Sequence, residues 1–146
     1  TMRVVLQRVR RGAVIVGDQR IAAIGPGMVI LLGIGHEDSA EKARRLVEKI
    51  VNLRIFEDDQ RKMNRSILET GGEAIVVSQF TLYADTRKGR RPSYTNAAPP
   101  ASARVLVEHF IELMKDQGVS TQGGEFGAHM LVEIINDGPV TICMEE

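Results

Sequence analysis

The chain has 146 residues, 43% of them hydrophobic and 26% charged, and its 19 Lys and Arg residues balance 19 Asp and Glu residues. This is the composition of one globular domain, and it excludes a disordered chain, a coiled coil and a collagen-like repeat. The single cysteine excludes an internal disulfide framework and a cysteine-based zinc site. No apolar run is long enough to span a membrane. We therefore expect a soluble, cytoplasmic protein with a single domain at residues 1–146.

Turn signals divide the start of the chain into short predicted strands. Arg11-Gly12 and Gly17-Asp18 are typical turn pairs, and residues 25–27 (Gly-Pro-Gly) are a firm break. The next segment is apolar on both faces, which is typical of a fully buried strand. The predicted strands are residues 4–9, 13–16, 21–24 and 28–34.

A helix and two strands are predicted in the middle of the chain. Asp38 with Glu41 has the spacing of a capping box, and it precedes an apolar stripe with helical periodicity. The stripe consists of Ala43, Leu46, Val47 and Ile50. Residues 54–56 form a short predicted strand, and residues 74–82 form the longest one.

A second helix is predicted after the prolines Pro99 and Pro100, and Gly118 is well placed to end it. Its apolar stripe consists of Ala103, Val107, Phe110, Ile111 and Met114. Two or three strands, near residues 130–135 and 140–144, close the chain and are joined by a turn at residues 136–139. Strands at both ends around two main helices predict an α+β fold with a mixed, mainly antiparallel sheet.

The zero net charge conceals a segregation of charges along the chain. Residues 1–17 and 86–107 contain arginines and no acid, whereas the tail from Glu125 onward contains acids and no Lys or Arg. Arginine has a planar fork that suits phosphate, so these stretches favour a local contact with nucleic acid. A solvated loop with chance clustering of cations is the competing interpretation.

Polar side chains at the end of the strongest predicted strand are the first candidates for chemistry. Ser78, Gln79, Phe80 and Thr81 follow the apolar run at residues 75–77. Buried polar groups need partners, and backbone amides at a strand end are free to bind an oxyanion. The alternative is that Ser78 and Thr81 bond the backbone of an edge strand.

Two other kinds of site receive little support from the sequence. His36, His109 and His129 are available as bases, but the chain has no G-x-S-x-G motif and no pair of histidines with metal-ligand spacing. The glycine-rich residues 123–128 lack the Lys-Ser/Thr of a phosphate-binding loop. We therefore expect neither a metal nor a cofactor.

Four segments in order resemble the D-aminoacyl-tRNA deacylases, together with Gln7-Arg8-Val9 and residues 53–56. The segments are residues 76–82 (VVSQFTL), 88–93 (KGRRPS), 124–130 (GEFGAHM) and 136–141 (NDGPVT). The resemblance spans essentially the whole chain. One departure is Tyr94, which stands where the family usually has Phe.

The resemblance implies a homodimer with a barrel-like core and an active site at the subunit interface. A cis Gly138-Pro139 would reach into the partner's pocket and face the strand end at Ser78–Thr81. There it would exclude L-residues and admit D-residues and glycine. By the same resemblance Arg8 braces this motif, and Phe126 and Met130 line an adenosine pocket, although a core role for those two residues stays open.

The implied reaction is hydrolysis of the ester between a D-amino acid, or mischarged glycine, and the terminal adenosine of tRNA. The amides of Phe80 and Thr81 would form the oxyanion hole. Thr81 could be the nucleophile, but we favour attack by water assisted by the adenosine 2′-hydroxyl. The tRNA phosphates would contact the early arginines and the loop residues Arg87, Lys88, Arg90 and Arg91.

Two alternatives remain at this point. A dimeric RNA-binding module without catalysis would also use a basic face, although it has no need of the Gly-Pro turn. A related group of editing enzymes carries a trans Gly-Pro and acts on achiral or L-aminoacyl-tRNA. In every case we expect tRNA as the partner, with no DNA and no membrane.

Overall fold

Strands dominate the computed structural model, which describes all 146 residues. The strands are β1 (Arg3–Val16), β2 (Gln19–Ile24), β3 (Gly27–Gly33), β4 (Phe56–Glu57), β5 (Met63–Arg65), β6 (Glu73–Ser78), β7 (Thr121–Gly123) and β8 (Leu131–Glu145). The helices are α1 (Ala40–Asn52), α2 (Ile67–Thr70) and α3 (Pro100–Asp116), and a single 3-10 turn covers Phe80–Tyr83. The prediction of an α+β fold with two main helices is confirmed.

Six strands form one sheet in the order β2-β1-β3-β6-β7, with β8 on the remaining edge of β1. The pairs that involve β1 are antiparallel, and β6 is parallel to both β3 and β7. Because the two halves of β1 pair with different strands, β3 first and then β2, the sheet curls into a nearly closed barrel. The mixed, mainly antiparallel sheet is as predicted.

The predicted turn at Arg11-Gly12 is wrong, because β1 runs through it without interruption. Gly12 lies where β1 exchanges β3 for β2 as its partner. A Cβ on Gly12 would come within 2.8 Å of the Val29 side chain. Glycine is therefore needed here for the close approach of two strands rather than for a change of direction.

The closing segment is also one strand rather than two. In β8, Asn136 pairs with Val9 and Thr141 pairs with Gln7, so residues 137–140 have no register partner on β1. The Asn-Asp-Gly-Pro signal thus marks a bulge that projects from a continuous strand, not a hairpin turn. Conversely, β6 ends at Ser78, shorter than the predicted strand at residues 74–82.

Both main helices bury the predicted stripes. In α1 all four stripe residues are buried, although the cap is Ser39, whose hydroxyl accepts from the Lys42 amide at 3.3 Å. In α3 the stripe residues are buried except Ile111, which is half-buried. The short α2 has a complete capping box between Ser66 and Glu69. The S-x-x-E spacing could have predicted α2.

The core consists of two clusters, one on each face of the sheet. The larger cluster has 22 buried residues between the sheet and the helices, with Phe110 among the largest. The smaller has 7 residues and includes Ile75 and Val77 of β6. Strand β6 is therefore buried on both faces, and its end is firmly placed. None of the helices has the length and hydropathy that crossing a bilayer requires.

Candidate functional site

The end of β6 presents free backbone amides. The Gln79 amide donates to the Leu32 carbonyl at 2.8 Å and so extends the pairing with β3 by one residue. The 3-10 turn then begins, and its first hydrogen bond runs from the Leu82 amide to the Gln79 carbonyl at 3.2 Å. The amides of Phe80 and Thr81 precede this donor, so they have no partner within the turn.

A cavity of about 520 Å³ opens beside this strand end. Ser78 and Phe80 form one wall, and Phe126 and Met130 form another. The remaining lining residues are Ile34, Tyr94, Ala97, Ala98, Pro99, Pro100, Ala103, Gly127 and Ala128. Only Ser78 and Tyr94 contribute polar side chains, so the cavity suits a ligand with a large apolar or aromatic face.

The hydroxyl of Thr81 contacts no group that could act as a base. Its hydrogen-bond partner is the side-chain amide nitrogen of Gln79, which donates to the hydroxyl oxygen. A primary amide is not a base in either orientation, so it cannot take up the proton that a nucleophilic hydroxyl must lose. None of the histidines is bonded to Thr81, and His36 instead contacts the Thr95 carbonyl at 2.6 Å. A Ser/Thr-His arrangement is absent at this site.

The bulge in β8 is held by Arg8, which is only 5% exposed. Its guanidinium donates to the Asp137 carbonyl at 3.0 Å and to the Ile55 carbonyl at 2.7 Å. The Val140 amide donates to the Asn136 side chain at 3.2 Å. The Gly138-Pro139 bond is cis. The bulge is therefore fixed at its base by one buried cation and one side-chain amide.

Glycine is required at position 138. Its φ is +127°, which L side chains rarely adopt. A Cβ there would lie 2.9 Å from Val140 and 3.0 Å from the Arg8 guanidinium. Neither Gly138 nor Pro139 lines the cavity of its own chain. Of the predicted catalytic and substrate-binding residues, four line the cavity, two lie beside it without lining it, and three form or hold the bulge: Ser78, Phe80, Phe126 and Met130; Gln79 and Thr81; and Arg8, Gly138 and Pro139.

The basic loop, defined as residues 86–92, is closed at its base and carries three uncompensated cations. Asp85 and Ser93 exchange backbone hydrogen bonds of 2.7 and 3.0 Å. The Arg87 guanidinium binds the Asp85 carboxylate in a bidentate manner at 2.8 and 2.9 Å, which lowers the pKa of Asp85 to about 2. Within the loop, the exposed cations without an ion pair are Lys88, Arg90 and Arg91.

The early arginines contact the acidic tail. Arg8 and Arg10 lie 3.7 and 3.9 Å from the Asp137 carboxylate, and Arg11 lies 3.2 Å from Glu133. The antiparallel pairing of β1 with β8 thus neutralises much of the charge segregation that is visible in the sequence. The basic loop keeps three unpaired cations and is therefore a candidate for phosphate binding.

Sequence reasoning assigned no site contact to Tyr94, which lines the cavity, or to Arg104, which lies against a cavity residue. Tyr94 packs against Phe80 with ring centroids 5.1 Å apart, and the Arg104 guanidinium lies 5.2 Å from the Phe126 ring centre. No local signal marks these contacts, because each joins residues far apart in the chain. The structure contains no group of three His, Cys, Asp or Glu residues that could hold a metal ion.

Comparisons with known proteins identify a family by sequence and two solved structures with a similar fold. A family model described as D-Tyr-tRNA(Tyr) deacylase matches residues 5–145. A D-aminoacyl-tRNA deacylase of Heliobacterium modesticaldum (strain ATCC 51547 / Ice1) is 57% identical over 144 residues, 99% of this chain and 96% of the relative. A solved c-Myc DNA Unwinding Element Binding Protein is 41% identical with a TM-score of 0.93, covering 99% of this chain and 98% of its own. A probable eukaryotic D-amino acid tRNA deacylase, 17% identical with a TM-score of 0.83 and 98% coverage of both chains, is similar in fold alone.

Proposed function

Because the chain belongs to the D-Tyr-tRNA(Tyr) deacylase family and is a hydrolase of D-aminoacyl-tRNA, we propose that it acts as a chiral proofreader. The observation that supports this role is a strand end with two free amides beside an apolar cavity. The cavity would hold the terminal adenosine of tRNA against Phe126 and Met130. The amides of Phe80 and Thr81 would then face the ester carbonyl.

The proposed reaction needs no protein nucleophile. A water oxygen forms a bond to the ester carbon, and the resulting oxyanion accepts hydrogen bonds from the amides of Phe80 and Thr81. Breakage of the bond between the ester carbon and the ribose oxygen releases the free amino acid, and the ribose oxygen takes up the proton that the attacking water loses. Since no base is bonded to Thr81, we assign activation of the water to the neighbouring 2′-hydroxyl of the adenosine.

The chirality of the substrate would be read by a second copy of the chain. Gly138 and Pro139 lie outside the cavity of their own chain, so they can act on a bound ester only from a partner subunit. Exposed apolar side chains, Leu131 at 59% and Ile135 at 42%, make the adjoining parts of β8 suitable for such an interface. The partner's Gly138 and Pro139 would bind the α-ammonium and leave space only for a D side chain or for none, so glycyl-tRNA would also be cleaved.

Lys88, Arg90 and Arg91 would bind tRNA phosphates without reading base sequence. The substrate is made during translation, so the proposed place of action is the cytoplasm. A non-catalytic nucleic-acid-binding module is the second candidate, because the basic loop alone would serve it.

The deciding experiment follows ester loss from D-tyrosyl-, L-tyrosyl- and glycyl-tRNA in the presence of EDTA. Loss of the D-tyrosyl and glycyl esters with survival of the L-ester supports the chiral proofreader. Loss of the L-ester at the same rate contradicts chiral selection. Binding of tRNA without any ester loss supports the non-catalytic module, and a monomer in sedimentation contradicts the partner's role.

A further inference from the structure

We propose that Tyr94 is a positioning residue for the oxyanion amides and that its aromatic ring holds Phe80 in place. This inference rests on the proposed function, because it assigns a role to the amide of Phe80 in ester hydrolysis. It gives a role to a residue outside the strand-end segment, to which the resemblance assigns no role in the site.

Within one chain, the side chain of Phe80 has few other restraints. It is 56% exposed, an unusual state for a phenylalanine at the start of a turn. The ring of Tyr94 meets it edge-on, with centroids 5.1 Å apart and planes inclined by 72°. Such contacts stabilise one relative orientation of the rings beyond what burial alone supplies. Because the side-chain rotamers open to a residue depend on its backbone φ and ψ, a contact that holds the Phe80 ring also restricts the backbone that carries the amide.

Tyr94 is itself firmly anchored, so it can serve as a support. Its carbonyl accepts from the Ala97 amide at 3.1 Å, and the next carbonyl, that of Thr95, contacts His36 at 2.6 Å. The Ala98 amide then donates to the Ile34 carbonyl at 2.9 Å, just beyond the end of β3. The segment that bears Tyr94 is therefore fixed to the sheet independently of Phe80.

Tyr94 also follows directly on the base of the basic loop. Ser93 closes that loop against Asp85, and Phe80 lies before the loop on the other side. The pair Phe80–Tyr94 thus joins the two stems of the loop beside the cavity. The loop would set the affinity for tRNA, whereas the aromatic contact would set the geometry of the reacting ester.

The test compares steady-state kinetics of Tyr94→Phe, Tyr94→Leu and Tyr94→Ala on D-tyrosyl-tRNA. We expect Tyr94→Phe to keep kcat within about twofold, because the ring is retained. Tyr94→Ala should lower kcat roughly tenfold with little change in KM, since the amide is displaced and not removed, and loss of a whole donor costs about 10²–10³. The kcat of Tyr94→Leu, which keeps an apolar side chain of moderate volume, should lie between those of Tyr94→Phe and Tyr94→Ala. Ile21→Ala, an exposed apolar residue on β2, is the matched control.

Three outcomes would overturn the inference. If Tyr94→Phe and Tyr94→Ala lowered kcat equally, the effect would belong to the hydroxyl. If Tyr94→Ala left kcat unchanged, the ring would have no role in positioning. A rise in KM alone would make Tyr94 a binding residue. Thermal melting of each variant separates misfolding from these results. If the wild-type protein cleaves no D-ester, the proposed function itself fails, and the inference fails with it.

Discussion

At the scale of single residues, the chemistry depends on which groups can move a proton. Thr81 is the most obvious nucleophile at the strand end, but its hydroxyl is bonded to the Gln79 side-chain amide, which is not a base. The buried Arg8, in contrast, donates to two carbonyls and stabilises a backbone shape. The side chains of this site therefore position the backbone more than they react.

The Thr81→Ala variant should retain much of the activity, because the backbone amide at this position remains. Single-turnover rates on D-tyrosyl-tRNA provide the measurement, with Thr81→Ser as a companion variant. A true nucleophile would give a different result: its removal lowers the rate by several orders of magnitude.

The Gly138→Ala variant should lose most activity and about 1–3 kcal/mol of stability, because its Cβ would meet Arg8 and Val140 at a φ that L side chains avoid. Urea unfolding and ester hydrolysis measure the two effects. Gly17→Ala is a suitable control, since Gly17 also has a positive φ but no atom lies within 4 Å of its added Cβ. If both variants behave alike, the contact with Arg8 has no special role.

At the scale of elements, the basic loop and the strand pair β1–β8 use arginine differently. The arginines of β1 face carboxylates of β8, so their charge is largely compensated. In the loop only Arg87 has such a partner. The unpaired cations of the loop should therefore contribute more to the affinity for tRNA than the paired arginines.

Each of Lys88→Ala, Arg90→Ala and Arg91→Ala should weaken tRNA binding and reduce the slope of log K against log salt by about 1. Arg87→Ala should have a smaller effect, because the Arg87 guanidinium is already paired with Asp85. Dissociation constants at several KCl concentrations test this order. Equal slopes for all four variants would show that the pair with Asp85 does not persist in the complex.

The Asp85 pair should withstand mild acid. The pKa of Asp85 is lowered from 3.8 to about 2 by the hydrogen bonds and charge of Arg87. Because the folded pKa is depressed, the stabilising effect is complete above about pH 4 and is lost as the pH falls through about 2. An NMR titration of the Asp85 carboxyl group measures this directly, and a midpoint near 4 would contradict the pairing.

The sequence alone predicted those elements whose signals are local. The stripes of α1 and α3 have helical periodicity and β3 is a continuous apolar run, and a short window of the sequence reveals both. The continuity of β1 through Gly12 and of β8 through its bulge depends on strands that lie far away in sequence. The same holds for the site, where the strand end could be located by its polar residues but the contacts of Tyr94 and Arg104 could not.

At the scale of the whole molecule, the site is attached to a core with two buried faces. Helix α3 contributes Phe110 and Met114 to the larger cluster and Ala103 to the cavity wall. The helix therefore links the packing of the core to the shape of the cavity. Its exposed side carries Val105, which is 64% exposed.

The Phe110→Ala variant should cost about 3–5 kcal/mol of unfolding free energy, because Phe110 is fully buried and leaves a cavity. Val105→Ala on the same helix should change the stability by less than about 0.5 kcal/mol. Urea denaturation of both variants tests the prediction. A similar loss in both would indicate that Val105 is buried in an interface that a single chain does not contain.

The burial of β6 on both faces has a consequence for hydrogen exchange. A strand that lies between β3 and β7 and is covered on each side opens only when most of the molecule opens. The amides of β6 should therefore exchange with deuterium among the slowest in the protein, while those of the basic loop exchange quickly. Under increasing denaturant, the strand end that carries the site should therefore lose its structure only in the global unfolding transition of the subunit, because β6 has no separate way to unfold.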